Sequence, residues 1–140
     1  MKKILVPIDG SKYSDMAIKK AKEFAAVYGS SIVLLHVNDF HLNMFNYNAG
    51  AQEQFVELFD QMSNNILDAG KEKLISLGDR VEMVKLEGSI ANQIIEYANI
   101  NDFDMVIIGS QGKGAIHNLL MGGVAHKIIL HVNKPVLIVR

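Results

Sequence analysis

The sequence predicts an α/β domain: a doubly wound, open, five-stranded parallel sheet with four helices. Three observations predict it. Short apolar runs rich in β-branched residues recur along the chain, each too short for a helix and too continuous for a half-exposed strand. Between them lie longer stretches with apolar residues at helical spacing. The two kinds alternate as β-α-β-α-β-α-β-α-β, and strands that alternate with helices pair in parallel through right-handed crossovers. At 140 residues the expectation is one domain over residues 1–140, large enough to hold a core without staples.

Each element has its own signal. Ile4-Leu5-Val6-Pro7-Ile8 reads as a strand ended by Asp9-Gly10-Ser11. Ser14 followed by Asp15 is a helix N-cap signal, with Ser11 as a rival cap. Ala17, Ala21, Phe24, Ala25 and Tyr28 then repeat at helical spacing, and Gly29 stops the helix. Ser31 to Val37 is a second buried strand. Residues 38–52 read as a loop, unusually apolar because it carries Phe40, Met44, Phe45 and Tyr47. Phe55, Phe59, Met62, Ile66 and Ala69 mark one face of a long helix that runs to about Leu77 and ends at Gly78. Val81 to Glu87 is a third strand, and its charges at Glu82, Lys85 and Glu87 suit an edge. Gly88-Ser89 opens a third helix, with Ile90, Ala91, Ile94, Ile95 and Ala98 on its buried face. Met105 to Ile108 is a wholly apolar strand, followed by a glycine-rich stretch from Gly109 to Gly123. A last helix carries Val124, Ile128 and Ile129. Asn133-Lys134-Pro135 breaks it before a closing strand, Val136 to Val139.

Composition excludes several classes of function. The chain has no cysteine, so no disulfide framework, Cys-ligated zinc site or thiol nucleophile. Its 14 basic and 15 acidic residues leave a net charge of −1, which does not suit broad nucleic-acid binding. No apolar run approaches the roughly 20 residues of a membrane span. The opening Met1-Lys2-Lys3-Ile4-Leu5-Val6-Pro7 has a secretion signal's charge but not its apolar length, and Asp9 interrupts it. A cytoplasmic protein is expected, with neither nucleic acid nor membrane as a partner. The five histidines, His36, His41, His117, His126 and His131, include no i, i+4 ligand pair, so no protein-built metal site is expected. No Ser-His-Asp or paired-carboxylate arrangement stands out, and no catalytic residue is assigned.

In doubly wound sheets a ligand sits beyond the C-terminal strand ends, where strand order reverses. Strands one and four are the candidates for that point, and their ends carry Asp9 and Gly109. Gly109-Ser110-Gln111-Gly112-Lys113-Gly114, with Gly122-Gly123 before a helix, suits a phosphate chain. Glycine lets the backbone approach phosphate oxygens, and free N–H groups at a helix start attract an anion. Strand-to-helix loops also carry glycine for turns alone, so this stretch by itself leaves both readings open. It is not a P-loop, because Gly112-Lys113 is followed by Gly114 rather than Ser or Thr. It is not a dinucleotide fingerprint either, since the first strand is not followed by G-x-G-x-x-G.

The pattern present is G-x2-G-x9-G, at Gly109, Gly112 and Gly122. It resembles the nucleotide-binding signature of the universal stress protein family. Lys3 to Ser11 resembles that family's opening strand and turn, Leu34-Leu35-His36-Val37 its second strand, Leu86-Glu87-Gly88-Ser89 its turn into the third helix, and Asn133 to Val139 its closing strand. The similarity spans the chain, with 38–52 least matched. The resemblance implies an adenine nucleotide alpha hydrolase-like fold with strand order 3-2-1-4-5. It also implies a site for ATP, ADP or AMP. There the Val37 backbone meets adenine, and Pro7, Ile8 and Asp9 line base and ribose, with Asp9 placed to bond ribose hydroxyls. Ile108, Gly109, Gln111 and Gly112 wall the ribose and inner phosphates. Gly122, Gly123, Val124 and Ala125 receive the outer phosphates, and any Mg²⁺ is held mainly by phosphates and water. The family usually has Ser or Thr after the third glycine and often Thr two residues later. Here Gly123 and Ala125 lack both hydroxyls, which points to weaker binding or a tilt toward AMP or ADP.

The apolar closing strand Val136–Val139, at an edge, invites strand pairing, and the resemblance supports a homodimer through it. The loop carrying Phe40 and Tyr47 suits either a cover over the nucleotide, a subunit contact or packing on its own domain. The leading functional expectation is an adenine-nucleotide-binding regulatory module of the stress response. Its rivals are a stress-family dimer that acts by protein contacts alone and a weak ATPase or autophosphorylating enzyme.

Overall fold

The computed structural model describes residues 1–39, 48–115 and 121–140. The order of elements is β1 (Lys3–Pro7), α1 (Lys12–Tyr28), β2 (Ser31–Asn38), α2 (Ala49–Glu72), a 3₁₀ segment (Ile75–Arg80), β3 (Val81–Glu87), α3 (Ile90–Ile100), β4 (Met105–Gly109), α4 (Gly123–His131) and β5 (Val136–Val139). The strands form one five-stranded sheet in the order β3-β2-β1-β4-β5, and every pairing is parallel. The chain winds outward from β1 to β3 and then crosses back to β4, so the reversal falls between β1 and β4. No helix among the described residues is long and apolar enough to cross a membrane.

Period-two alternation divides the core in two. Ile4, Val6, Ile8, Ile32 and Leu34 face α1 and α2, where Ala17, Ile18, Ala21 and Leu67, with Leu74 just past α2, meet them. Leu5, Val33, Leu35, Val37 and Val106 face the other layer, where Ile94, Ala98 and Ile128 meet them. Because both faces are covered, β1, β2 and β4 read as unbroken apolar runs. The edge strands differ: β3 buries only Val81 and alternates exposed and half-buried residues from Met83 onward, whereas β5 is half-buried throughout.

Four local expectations need correction. The N-cap of α1 is Ser11, not Ser14: the Ser11 Oγ accepts from the Ser14 N–H at 3.2 Å. Ser14 is instead buried inside the first turn, where its hydroxyl donates to the Ser11 carbonyl at 3.0 Å. Next, α2 begins at Ala49, capped by the Asn48 side chain, so residues 49–52 are helix and not loop. It stops at Glu72, and the 3₁₀ segment with Gly78 at φ +58° replaces the expected last turns.

The buried face of α2 is also rotated. Ser63, Leu67 and Gly70 are buried, while Met62 is 41% exposed and Ala69 faces solvent. Small residues cause this. A Cβ on Gly70 would lie 3.0 Å from Ile8 Cδ1 and 3.1 Å from Leu34 Cδ1, so the glycine lets α2 settle closely onto the sheet. In α4, Ala125 and Ile128 are buried and Ile129 is 42% exposed. Phe40, His41, Met44, Phe45, Tyr47 and His117 lie outside the described residues.

Candidate functional site

The first wall of the site is the end of β1. Past Pro7 the chain turns through Asp9 and Gly10, and Gly10 has φ +80°, which an L side chain rarely adopts. The turn presents the Asp9 carboxylate to two main-chain donors. Its Oδ1 accepts from the Ser11 N–H and its Oδ2 from the Lys113 N–H, both at 2.9 Å. Asp9 thereby ties the end of β1 to the loop after β4. Burial is the largest single influence on this carboxyl and pushes its pKa up. Hydrogen bonds, led by those from Ser11 and Lys113, outweigh burial and hold the pKa below the usual carboxylate range.

The second wall is the overhang of β2. Pairing of β1 with β2 ends at Pro7 and Leu35, while β2 runs on to Asn38 beside β3. The Leu35 carbonyl accepts from the Ile8 N–H at 2.8 Å, and the Asn38 carbonyl accepts from the Gly88 N–H at 2.9 Å. Strand alternation therefore turns Val37, two residues past Leu35, toward the β1 side. Its N–H and C=O point into the space that β1 vacates.

The third wall is the loop from β4 to α4. Ser110 N–H donates to the Val139 carbonyl, and Gly122 N–H donates to the Ser110 carbonyl, both at 2.7 Å. These bonds fasten both ends of the loop to the sheet and aim the start of α4 at the cleft. The N-cap Gly122 offers no side-chain cap, and the first helical turn closes with His126 N–H on the Gly122 carbonyl at 3.0 Å. The first-turn N–H groups of Gly123, Val124 and Ala125 precede that bond and carry the positive end of the helix dipole. Gly122 itself is not such a donor, because its N–H is already engaged.

These walls enclose a cavity of about 440 Å³. Pro7, Ile8 and Asp9 line it from β1, Val37 from β2, and Ile108, Gly109, Gln111 and Gly112 from β4 and its loop. Gly122, Gly123, Val124 and Ala125 line it from the start of α4. All the residues singled out in the sequence thus share one cavity. Two glycines have a different immediate neighbour from the one expected. A Cβ on Gly109 would lie 2.7–2.8 Å from Tyr13, its backbone included, so this glycine lets α1 press against β4. A Cβ on Gly112 would lie 2.5 Å from Asp9 Oδ2. A Cβ on Gly123, by contrast, would meet nothing within 4 Å.

A model of the universal stress protein family matches residues 1–140. The chain belongs to the universal stress protein family. Universal stress protein MJ0531 of Methanocaldococcus jannaschii is 30% identical over 139 residues, which cover 99% of this chain and 82% of that protein. The solved structure of protein MJ0577 from the same organism matches with a TM-score of 0.87 at 29% identity, covering 99% of this chain and 94% of that one. The universal stress protein of Archaeoglobus fulgidus, solved in complex with dAMP, has a TM-score of 0.72 at 20% identity, covering 100% of this chain and 98% of that one.

Sequence reasoning misses part of this universal stress protein's cavity. Phe59, Met62 and Ile66 read as core residues of a helix, but they line the cavity from α2. Ile90 and Ile94 of α3 line the opposite side. A usable signal exists in α2: its apolar stripe is wider than the narrow face formed by Ser63, Leu67 and Gly70. Lys113 also lines the cavity, and so do His36 and Asn38. In the sequence His36 is only part of the second-strand motif and one of five histidines with no ligand pair; in the structure its Nδ1 lies 2.8 Å from Ser63 Oγ. Burial lowers the His36 pKa most, and the positive charge of Lys113 lowers it further, against the raising effect of Asp9 and Asp39. Among the described residues, no group of three or more His, Cys, Asp or Glu side chains is placed to hold a metal ion.

Proposed function

We propose that this universal stress protein binds an adenine nucleotide (ATP, ADP or AMP) in the cleft between the ends of β1 and β4. In this reading it acts as a regulatory module of the cytoplasm rather than as an enzyme. One observation carries the reading. Gly123, Val124 and Ala125, whose main-chain N–H groups open α4, line the same cavity as Val37 and Asp9. The arrangement suits a nucleotide part by part. The Val37 N–H and C=O match the N1 acceptor and the amino donor of adenine. Asp9 is an acceptor for ribose hydroxyls. The first turn of α4 is a site for phosphate, with Lys113 near it. The dAMP complex of the Archaeoglobus protein and the fold it shares with this chain support the same assignment. Any Mg²⁺ is assigned to phosphates and water. The direct test is to denature the purified protein and chromatograph the released small molecules, followed by calorimetry on the stripped protein. Adenine nucleotide in the supernatant, or a saturable heat with AMP, ADP or ATP, is expected. An empty supernatant with no heat would favour a family member that acts by protein contacts alone.

Gly123 sets the expected nucleotide preference. A serine hydroxyl there adds a bond to a charged phosphate, worth about 10- to 150-fold in affinity, and the open space at Gly123 admits it without a clash. Gly123→Ser is expected to tighten ATP more than AMP in calorimetric titrations. Equal affinity of variant and wild type for ATP would remove the outer phosphates from the start of α4.

The proposed unit is one domain over residues 1–140, paired as a homodimer through β5. Val136 to Val139 is half-buried, apolar and hydrogen-bonded to β4 alone among the described strands. Sedimentation at micromolar concentration is expected to give a dimer, and Leu137→Lys a monomer. A wild-type monomer would contradict the pairing.

A further inference from the structure

Two residues of the cavity wall, His36 and Asn38, belong to a buried polar cluster that the nucleotide contacts named so far leave unused. Asn38, at the end of β2, is 6% exposed, His36 is 8% exposed and Ser63, on α2, is fully buried. Ser63 Oγ is the hub: His36 Nδ1 lies 2.8 Å from it, and Asn38 Nδ2 donates to it at 3.2 Å. Asn38 Oδ1 is left with no hydrogen-bond partner. Among the described residues it is the one buried side-chain nitrogen or oxygen in that condition. A polar atom taken out of water with no partner costs free energy, and because Asn38 lines the cavity the orphan points to a ligand donor that completes it.

The hydrogen-bond inventory decides what Asn38 offers. The Asn38 amide NH₂ donates to Ser63 Oγ, and His36 Nδ1 lies against the same oxygen. The Ser63 oxygen is then an acceptor, and it draws the amide NH₂ of Asn38 toward itself. Oδ1 is the atom left over, so Asn38 presents an acceptor and calls for a donor. On the ligand proposed above, the donor adjacent to Val37 is the exocyclic amino group of the base, which carries two hydrogens. The Val37 carbonyl can take one of them, and the other needs a second acceptor.

We propose that Asn38 Oδ1 accepts a hydrogen bond from the 6-amino group of the bound purine, which makes Asn38 a specificity-determining residue for the base. The inference rests on the adenine-nucleotide reading. Ser63 and His36 are positioning residues: they fix which end of the amide faces the base.

The test compares AMP with purine riboside 5′-monophosphate, which has the same ribose and phosphate but no 6-amino group. The wild-type protein is expected to prefer AMP. In Asn38→Ala that preference should shrink by about five- to tenfold, with affinity for the amino-free nucleotide nearly unchanged. Asn38→Asp, which retains an acceptor oxygen, should preserve the preference. Ser63→Ala should narrow it by a smaller factor through loss of the amide's anchor. If Asn38→Ala fails to fold, Asn38→Leu, closer in volume, carries the same comparison. An unchanged ratio in either folded variant would overturn the assignment of Asn38 while leaving nucleotide binding intact. Failure of the wild-type protein to bind either nucleotide would overturn the adenine reading itself, and the inference with it.

Discussion

Replacing Gly109 with alanine is expected to lower the free energy of unfolding by about 3 kcal/mol, at the upper end of the usual cost of overpacking. The new Cβ would lie 2.7 Å from Tyr13 Cβ and 2.8 Å from the Tyr13 carbonyl carbon and oxygen. Two of those three atoms are main chain, so no rotamer change relieves the contact. Either α1 lifts from β4 or the end of β4 moves, and each disturbs buried Ala17 and Ile18 on α1 and Ile107 on β4. Gly123→Ala is the matched control, because its new methyl meets nothing within 4 Å. Urea unfolding followed by circular dichroism reads both. A large fall in midpoint for Gly109→Ala with a change under about 1 kcal/mol for Gly123→Ala supports the structure at the site. Similar midpoints for the two variants would contradict the close approach of α1 to β4.

Asp9→Ala carries the second large effect, and it acts on binding. The carboxylate is the acceptor that joins the Ser11 turn to the Lys113 loop, and it is the group assigned to the ribose. Loss of a hydrogen bond to a charged group costs about 10- to 150-fold in affinity, so AMP and ATP should weaken together by at least the lower figure. The same residue gives a signed pH dependence. Its pKa in the folded protein lies below the ordinary value of 3.8. Its contribution to stability is therefore fully present above that value and is lost as pH falls through the folded pKa. The stability gap between wild type and Asp9→Asn should be largest near neutrality and close in strong acid. A gap that widens toward low pH would mean that Asp9 is not held ionised by these donors.

Much of the fold and site is legible in the sequence, for specific reasons. The central strands bury both faces, so β1, β2 and β4 announce themselves as unbroken apolar runs. The glycines at 109, 112 and 122 mark the β4 loop because close backbone approach excludes a Cβ. What each glycine approaches is not legible. Gly109 answers to Tyr13 and Gly112 to Asp9, and such contacts join residues about a hundred positions apart in the chain. The rotation of α2 escapes for a related reason. Hydrophobic periodicity weights large residues, whereas close packing onto the sheet favours Ser63 and Gly70, and the larger Phe59, Met62 and Ile66 are turned toward the cavity. Asn38 looks like the first residue of a loop, because its strand pairing depends on β3, more than forty residues later.

An adenine nucleotide lying between the Val37 main chain and the first turn of α4 is the proposal on which the roles of Asp9, Asn38 and Gly123 in binding depend. Amide chemical-shift mapping on ¹⁵N-labelled, nucleotide-stripped protein tests it most directly, with AMP and ATP titrated separately. Saturable shifts are expected at the amides of Val37, Gly112, Lys113, Gly123, Val124 and Ala125, with the α4 amides moving more for ATP than for AMP. Shifts absent from these amides at millimolar nucleotide, or confined to residues outside the cavity, would contradict it.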